Sequence, residues 1–238
     1  MDLPMGRETV SSAMPDAVNY HNWIRDLVVP KLGQSVLEVG IGFGEYTREW
    51  MSGGRNFTAV DFDPDCVALH RAEYPSIPAI VADLGSDDFV DRVGRASFDS
   101  IICINVLEHI RDDHAAVARL AQCLKPGGAA LLIVPAHMAL YGRMDEIAGH
   151  FRRYNKRALR TAIESAGLQP KELRHFNPLG GMGWWANSKF YRPKDLNTDL
   201  IVGQVRIFDK YVQPMSRLID PLTASFFGQS LWAVACAE

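Results

Sequence analysis

The ten residues Val36-Leu-Glu-Val-Gly-Ile-Gly-Phe-Gly-Glu45 constrain this chain more than any other stretch. They predict a short buried strand, Ser35 to Val39, running into three glycines at alternate positions and then a helix. Glycines there let the backbone turn tightly and approach a ligand with no Cβ in the way. The helix that follows turns free N–H groups toward the loop. A dinucleotide fingerprint, G-x-G-x-x-G, would need a third glycine where this chain has Glu45. The pattern present is E-x-G-x-G-x-G, with Glu38 two positions before Gly40. A carboxylate at that strand end suits a cofactor carrying positive charge better than a pyrophosphate. S-adenosylmethionine, with an ammonium and a sulfonium, meets that description. An ordinary turn with packing glycines is the alternative, and three glycines plus an acid at one loop count against it.

More strand-end polar residues follow. Asn56 to Val60 reads as a second strand ending at Asp61, which lies 21 residues after Gly40 and near the ~20 expected for a carboxylate that binds ribose hydroxyls. Phe62-Asp63-Pro64-Asp65 then opens a helix, Cys66 to Glu73, so Asp63 reads as a capping residue and not a ligand. A third strand, Ala79 to Ala82, ends at Asp83, placed to accept from an adenine amino group. Phe98 to Ile104 is apolar on both faces, as central parallel strands are, and leads into Asn105-Val-Leu-Glu-His-Ile110. A helix over Arg111 to Lys125, a strand over Gly128 to Val134 and a helix over Asn155 to Ala166 continue the alternation. Leu168 to Phe176 and Gln229 to Cys236 supply the last two strands. Together they predict an α/β fold: a Rossmann-like, mostly parallel seven-stranded sheet with helices on both faces and a helical insertion before the last strand. Ligands in such sheets bind beyond the carboxyl ends of the strands.

The organisation divides into an N-terminal cap helix segment over 1–34, a cofactor-binding core over 35–176, an aromatic-rich insertion over 177–228 and the final strand over 229–238. The insertion far exceeds the short turn that two neighbouring strands need. Its aromatics, among them Trp184, Trp185 and Tyr191, suit either a helical layer burying its own rings, or a lid over an acceptor pocket or a homodimer surface. Helical spacing runs from Val205 to Leu218.

Composition sets the outer bounds. With 238 residues and 47% hydrophobic content the chain supports one α/β domain with an addition. A net charge of −3 argues against a nucleic-acid footprint. Cys66, Cys103, Cys123 and Cys236 show no C-x-x-C spacing and read as reduced residues of a cytoplasmic protein. No metal-ligand cluster is apparent, and no metal is expected. The start of the chain does not read as a signal peptide, and no apolar run approaches the ~18 residues of a membrane span.

In order and register, Val36 to Thr47, Asp61, Ala82-Asp83, Phe98 to Ile110 and Leu124-Lys-Pro-Gly-Gly128 resemble the successive motifs of class I S-adenosylmethionine-dependent methyltransferases. The resemblance runs from Asn19 to about Phe176. It is closest to bacterial small-molecule methyltransferases with an Asn-Tyr…Trp segment, here Asn19-Tyr20…Trp23, and a Gly-His-x-Arg-Arg-Tyr segment, here Gly149 to Tyr154. It implies that Gly40, Gly42 and Gly44 line the methionine part, Asp61 holds the ribose, and Asp83 with Leu84 holds the adenine. Asn105 would lie beside the amino-acid moiety. Tyr20, Glu38, Phe62 and Val106 complete the expected cofactor set.

A hydroxyl or ammonium acceptor needs a base. His137, directly after the fifth strand, is the first candidate and His150 the second. His21, His70, His114 and His175 show no site context. His109, Tyr141, Arg152, Arg153, Tyr154, Trp184 and Trp185 are the candidates for holding the acceptor. A guanidinium fork at Arg152 or Arg153 matches a carboxylate or phosphate, unless Asp145 or Glu146 occupies it. The expected activity is methyl transfer from S-adenosylmethionine to oxygen or nitrogen of a small-molecule acceptor. The rival readings are a non-catalytic cofactor-binding partner subunit, and a nicotinamide-dependent oxidoreductase, against which the missing third glycine and the lack of a Tyr-x-x-x-Lys pair count.

Overall fold

The computed structural model describes residues 17–44, 46–50, 53–190 (backbone alone for 186–190), 203 and 205–238. Helix α1 (Val18–Val28) precedes a one-turn 3-10 segment, Val29–Lys31. Strand β1 (Ser35–Val39), short helix α2 (Thr47–Trp50), β2 (Asn56–Asp61), α3 (Pro64–Glu73) and β3 (Ala79–Val81) make the first half. Then come α4 (Phe89–Val93), β4 (Phe98–Ile104), α5 (Asp113–Cys123), β5 (Leu124–Pro135), α6 (Arg143–Ile147), α7 (Lys156–Ser165) and β6 (Gln169–Phe176). Helix α8 (Pro178–Phe190), a π-helical turn over Phe208–Val212, α9 (Gln213–Thr223) and β7 (Ser230–Cys236) close the chain.

The sheet order is β3-β2-β1-β4-β5-β7-β6. Every pair is parallel except those made by β7, which runs antiparallel to both neighbours. Strand order reverses between β1 and β4, so a crevice opens there beyond their carboxyl ends. Successive strand residues serve opposite faces. Leu37, Val39, Ile101 and Cys103 enter one core cluster with Val117, Leu120, Leu159 and Ile163. Val36 and Ile102 enter the other, with Trp23, Ile24, Trp50 and Val67.

Local chemistry explains the helix starts. Asp63 accepts from Asp65 N, with Pro64 at the first helical position, so it caps α3 as its sequence context predicts. Asp112 caps α5 through Ala115 N, and Asn155 caps α7 through Ala158 N. Helix α1 has no side-chain cap of its own at Ala17. The Asp209 carboxylate supplies one from the far end of the chain, accepting from Asn19 N and Tyr20 N at 2.8 Å each.

One expectation is corrected. Strand β5 begins at Leu124 and not Gly128, because Lys125-Pro-Gly-Gly128 stays in the ladder as an irregularity opposite Phe98–Ser100. The stretch expected to be helical over Val205 to Leu218 is helical throughout, takes a π-helical turn at Phe208–Val212, and continues as α9 to Thr223.

Candidate active site

The glycine loop and the start of the post-β4 segment meet at the topological switch point. Gly40, Gly42 and Gly44 have φ of 78°, 53° and 80°, a region that side chains rarely adopt. A Cβ at Gly40 would stand 2.3 Å from Val106 Cγ2. A side chain at Gly40 would therefore collide with the start of the post-β4 segment, and all three positions favour glycine through their backbone conformation. Glu38 is buried, and its two carboxylate oxygens accept from Thr47 Oγ1 and Trp50 Nε1 at 2.8 and 2.9 Å. It braces α2 against β1.

Asp61 closes the other wall. Its oxygens accept from Gly42 N and Asp63 N, both at 2.9 Å, and burial raises its pKa against those bonds. Each carboxylate oxygen offers about two lone-pair sites, so acceptor capacity remains for a ribose. Phe62 projects into solvent beside it, and Leu84 is buried in the core. Asp83 is exposed and accepts from Gly85 N at 2.7 Å. Asn105 takes a left-handed conformation, φ 52°, and is exposed. Tyr20 is buried with its ring stacked on Phe176, centroids 6.3 Å apart. Burial pushes its hydroxyl up to about 12, with a Ser230 hydrogen bond opposing. A glycine cradle beside a buried acid with spare acceptor capacity fits S-adenosylmethionine.

The acceptor side is built on the end of β5. His137 N donates to Tyr154 O and Tyr154 N to Pro135 O, each at 2.8 Å, and Ala136 bridges Tyr154 in parallel. The Gly149 to Tyr154 segment thus extends the sheet at the rim. His137 holds φ 62°, a conformation that costs free energy in a non-glycine residue and recurs at functional sites. Its ring stacks on His175 (4.7 Å, 8°) and on Phe227 (5.4 Å, 20°). Its Nε2 is buried without a hydrogen-bond partner among the described residues. Burial, then the Arg153 charge, hold its pKa below the usual histidine value.

His175, which has no context in the sequence, is therefore part of this wall. Only strand pairing shows it, because β6 ends at the same rim as β5. Burial pushes its pKa down to about 4, with His137 adding to the effect.

Both arginines of the segment are occupied. Arg153 Nε donates to Asp145 Oδ1 at 2.8 Å, and its guanidinium lies 4.8 Å over the Trp184 ring. Arg152 pairs with Asp113 and donates to Arg111 O, while Tyr154 Oη donates to Asp113 Oδ2 at 2.8 Å. Tyr141 Oη donates to His150 O at 2.8 Å. Trp185 is partly exposed, and Tyr191 lies outside the described residues.

Three side chains with metal-ligating chemistry also meet on this side. Glu108, His109 and His150 bring one ligand atom each to within 4.8 Å of one another. Spacing along the chain hides this, because His150 arrives from beyond β5. Glu108 is fully buried, and neither carboxylate oxygen has a hydrogen-bond partner in another of the described residues. Burial pushes its pKa up to about 8, against its own backbone amide and Arg153.

A family described as Methyltransferase domain matches residues 17–173. A ubiquinone biosynthesis O-methyltransferase of Ralstonia nicotianae is 27% identical over 179 residues, 67% of this chain and 74% of that protein. The protein of the same name from Actinobacillus pleuropneumoniae is 27% identical over 175 residues, 65% and 75%. Among solved structures, Haemonchus contortus phosphoethanolamine N-methyltransferase 2 in complex with S-adenosyl-L-methionine aligns with TM-score 0.62 at 18% identity, over 96% of this chain and 57% of its own. Burkholderia thailandensis 1,6-didemethyltoxoflavin-N1-methyltransferase aligns with TM-score 0.54 at 16% identity, over 97% and 79%. At those identities the structural likeness speaks for the fold.

Proposed function

The chain belongs to the methyltransferase-domain family and is a class I S-adenosylmethionine-dependent methyltransferase; from that premise we propose that it methylates oxygen or nitrogen of a small-molecule acceptor at the rim of β5 and β6. The observation that carries this reading is the His137 imidazole, strained, stacked and presenting a buried, unpartnered Nε2. The curated relatives' names, O-methyltransferases of ubiquinone biosynthesis, support an oxygen acceptor.

Gly40, Gly42, Gly44 and Val106 would hold the methionine part of the cofactor and Asp61 the ribose, with Tyr20, Phe62, Asp83, Leu84 and Asn105 around the remainder. Glu38 acts by fixing α2 and the loop between. When bound, the cofactor supplies an electrophilic methyl group and a neutral leaving group. The protein's share is to orient the acceptor, exclude water and take a proton. His137 Nε2 takes that proton. Its lowered pKa keeps it neutral and able to accept at pH 7. His150 is the second candidate, but its Nδ1 is already tied to Asp145 at 2.8 Å. His109, Tyr141, Arg153, Trp184 and Trp185 line the acceptor side. Arg152 and Tyr154 work through Asp113, holding the segment that carries His137. Helix α8 and the segment from Phe208 to Gly228 would serve as the lid.

Labelled-methyl transfer to a panel of phenols, catechols and amines tests this reading. Turnover of a hydroxyl or amine acceptor is expected. Cofactor binding with no transfer to any of them would overturn it.

The same reading extends to setting and assembly. None of the four cysteines is joined in a disulfide, which supports a cytoplasmic setting. No helix among the described residues is long and apolar enough to cross a membrane. Ile207, Tyr211, Met215, Leu218 and Leu222 stand exposed at helical spacing along the π-turn and α9, Leu218 at 79%. Such a stripe supports a homodimer.

A further inference from the structure

We propose that Glu108, His109 and His150 form a binding site for a divalent transition-metal ion, zinc foremost. The ligand atoms of these three residues lie within 4.8 Å of one another. His150 Nε2 stands 4.0 Å from Glu108 Oε1, and the His109 and His150 rings meet edge to face at 4.6 Å. A bound ion about 2.0–2.2 Å from each ligand would draw those atoms to roughly 3–3.5 Å apart. Small side-chain rotations close that difference.

Three further features belong to a metal site rather than to a chance grouping. First, His150 Nδ1 is bonded at 2.8 Å to Asp145 Oδ1, and that carboxylate is itself fully buried and fixed by Arg153. A carboxylate that orients one ring nitrogen and frees the other is the usual outer support of a metal-bound histidine. Second, Glu108 is 0% exposed and neither oxygen has a side-chain or backbone hydrogen-bond partner in another of the described residues. A buried carboxyl group left unsatisfied is costly, and a cation between it and the two imidazoles would give its oxygens a partner. Third, His109 is exposed, which opens a path for the ion. Two imidazoles and one carboxylate suit zinc, iron(II), cobalt(II) or manganese(II) more than calcium or magnesium. Three protein ligands leave a coordination position open.

The backbone brings the set together. Phe151 N donates to Glu108 O at 2.8 Å, and His150 N to Asp145 O at 2.8 Å. The Gly149 to Tyr154 segment is thereby pinned across the start of the post-β4 turn, and the three side chains share one side of that junction.

The test uses tag-free, chelator-treated full-length protein titrated with zinc chloride against a chromophoric chelator. Wild type should bind one equivalent with micromolar or tighter affinity. Loss of an outer support alone typically costs 10–100-fold in metal affinity. Glu108→Gln and His150→Ala, which each remove a ligand, should therefore lose more than about 100-fold. His114→Ala, at an exposed histidine bonded to Ser165 and outside the cluster, should bind as wild type. Cobalt(II) added to wild type should develop visible absorption beyond that of the aqueous ion, a readout needing no variant. Absence of stoichiometric zinc binding, absence of the cobalt bands, or wild-type affinity in Glu108→Gln would each overturn the proposal. None of these readouts depends on methyl transfer, so failure here leaves the proposed activity standing.

Discussion

A methyl group added at Gly40 meets two obstacles at once. The left-handed φ of 78° costs an alanine about 1–2 kcal/mol, and the new Cβ would press on Val106 Cγ2 at 2.3 Å. Gly40→Ala should therefore lower S-adenosylmethionine affinity about tenfold or more. Adding Val106→Ala should recover part of the loss, and calorimetry on the three variants checks the non-additivity. His137→Ala should reduce kcat by ~10²–10⁴-fold, with cofactor affinity unchanged. Because the His137 pKa is lowered, the acid limb of kcat/KM should fall below the ordinary histidine value of ~6.5, and the variant should lose that limb. If His137→Ala and His150→Ala both turn over within a factor of ~3 of wild type, neither is the base.

His175 gives a stability prediction with a definite sign. Its pKa is about 4 in the fold and ~6.5 unfolded, so between those values the unfolded chain binds more protons. Stability is then complete above about pH 6.5 and falls as pH drops toward 4, by ~1–3 kcal/mol in all. His175→Phe keeps the stack on His137 and should flatten that acid limb in thermal melts. An unchanged limb would mean that another group sets it.

At the level of elements, the C-terminal insertion anchors the N-terminal helix. Asp209 satisfies two otherwise orphaned N–H groups of α1. Asp209→Ala should cost ~1–3 kcal/mol, read as a fall of about 2–12 °C in Tm. Asp209→Asn should recover part of it. No local signal foretold this cap, because its two halves lie 190 residues apart. The cap at Asp63, by contrast, was legible from residues adjacent in sequence. The exposed stripe along α9 makes a separate forecast. Wild type should sediment as a dimer, and Leu218→Lys with Leu222→Lys should release monomers that still bind cofactor. A monomeric wild type at tens of micromolar would remove the dimer.

At the scale of the whole molecule, the features readable in the sequence are those set by short-range chemistry. Strands β1, β2 and β4 announce themselves by apolar runs, and the cofactor loop by its glycines. The acids at their ends follow from position alone. The acceptor side was readable only as candidates. Tertiary pairing decides that Arg152 spends its charge on Asp113 and Arg153 on Asp145. It also decides that His175 stacks on His137 and that Glu108 meets His150. Each of those contacts joins segments that only the folded sheet brings side by side.

The proposed seat of S-adenosylmethionine is the crevice at the switch point, walled by Asp61. Calorimetry of wild type and Asp61→Ala addresses it most directly. Wild type should bind one equivalent of S-adenosylmethionine and no NADH. The variant, folded by circular dichroism, should bind S-adenosylmethionine roughly ten- to hundredfold more weakly, as expected for lost hydrogen bonds to a charged group worth ~1.5–3 kcal/mol. Equal affinity in the two proteins, or tight binding of NADH, would contradict that placement of the cofactor.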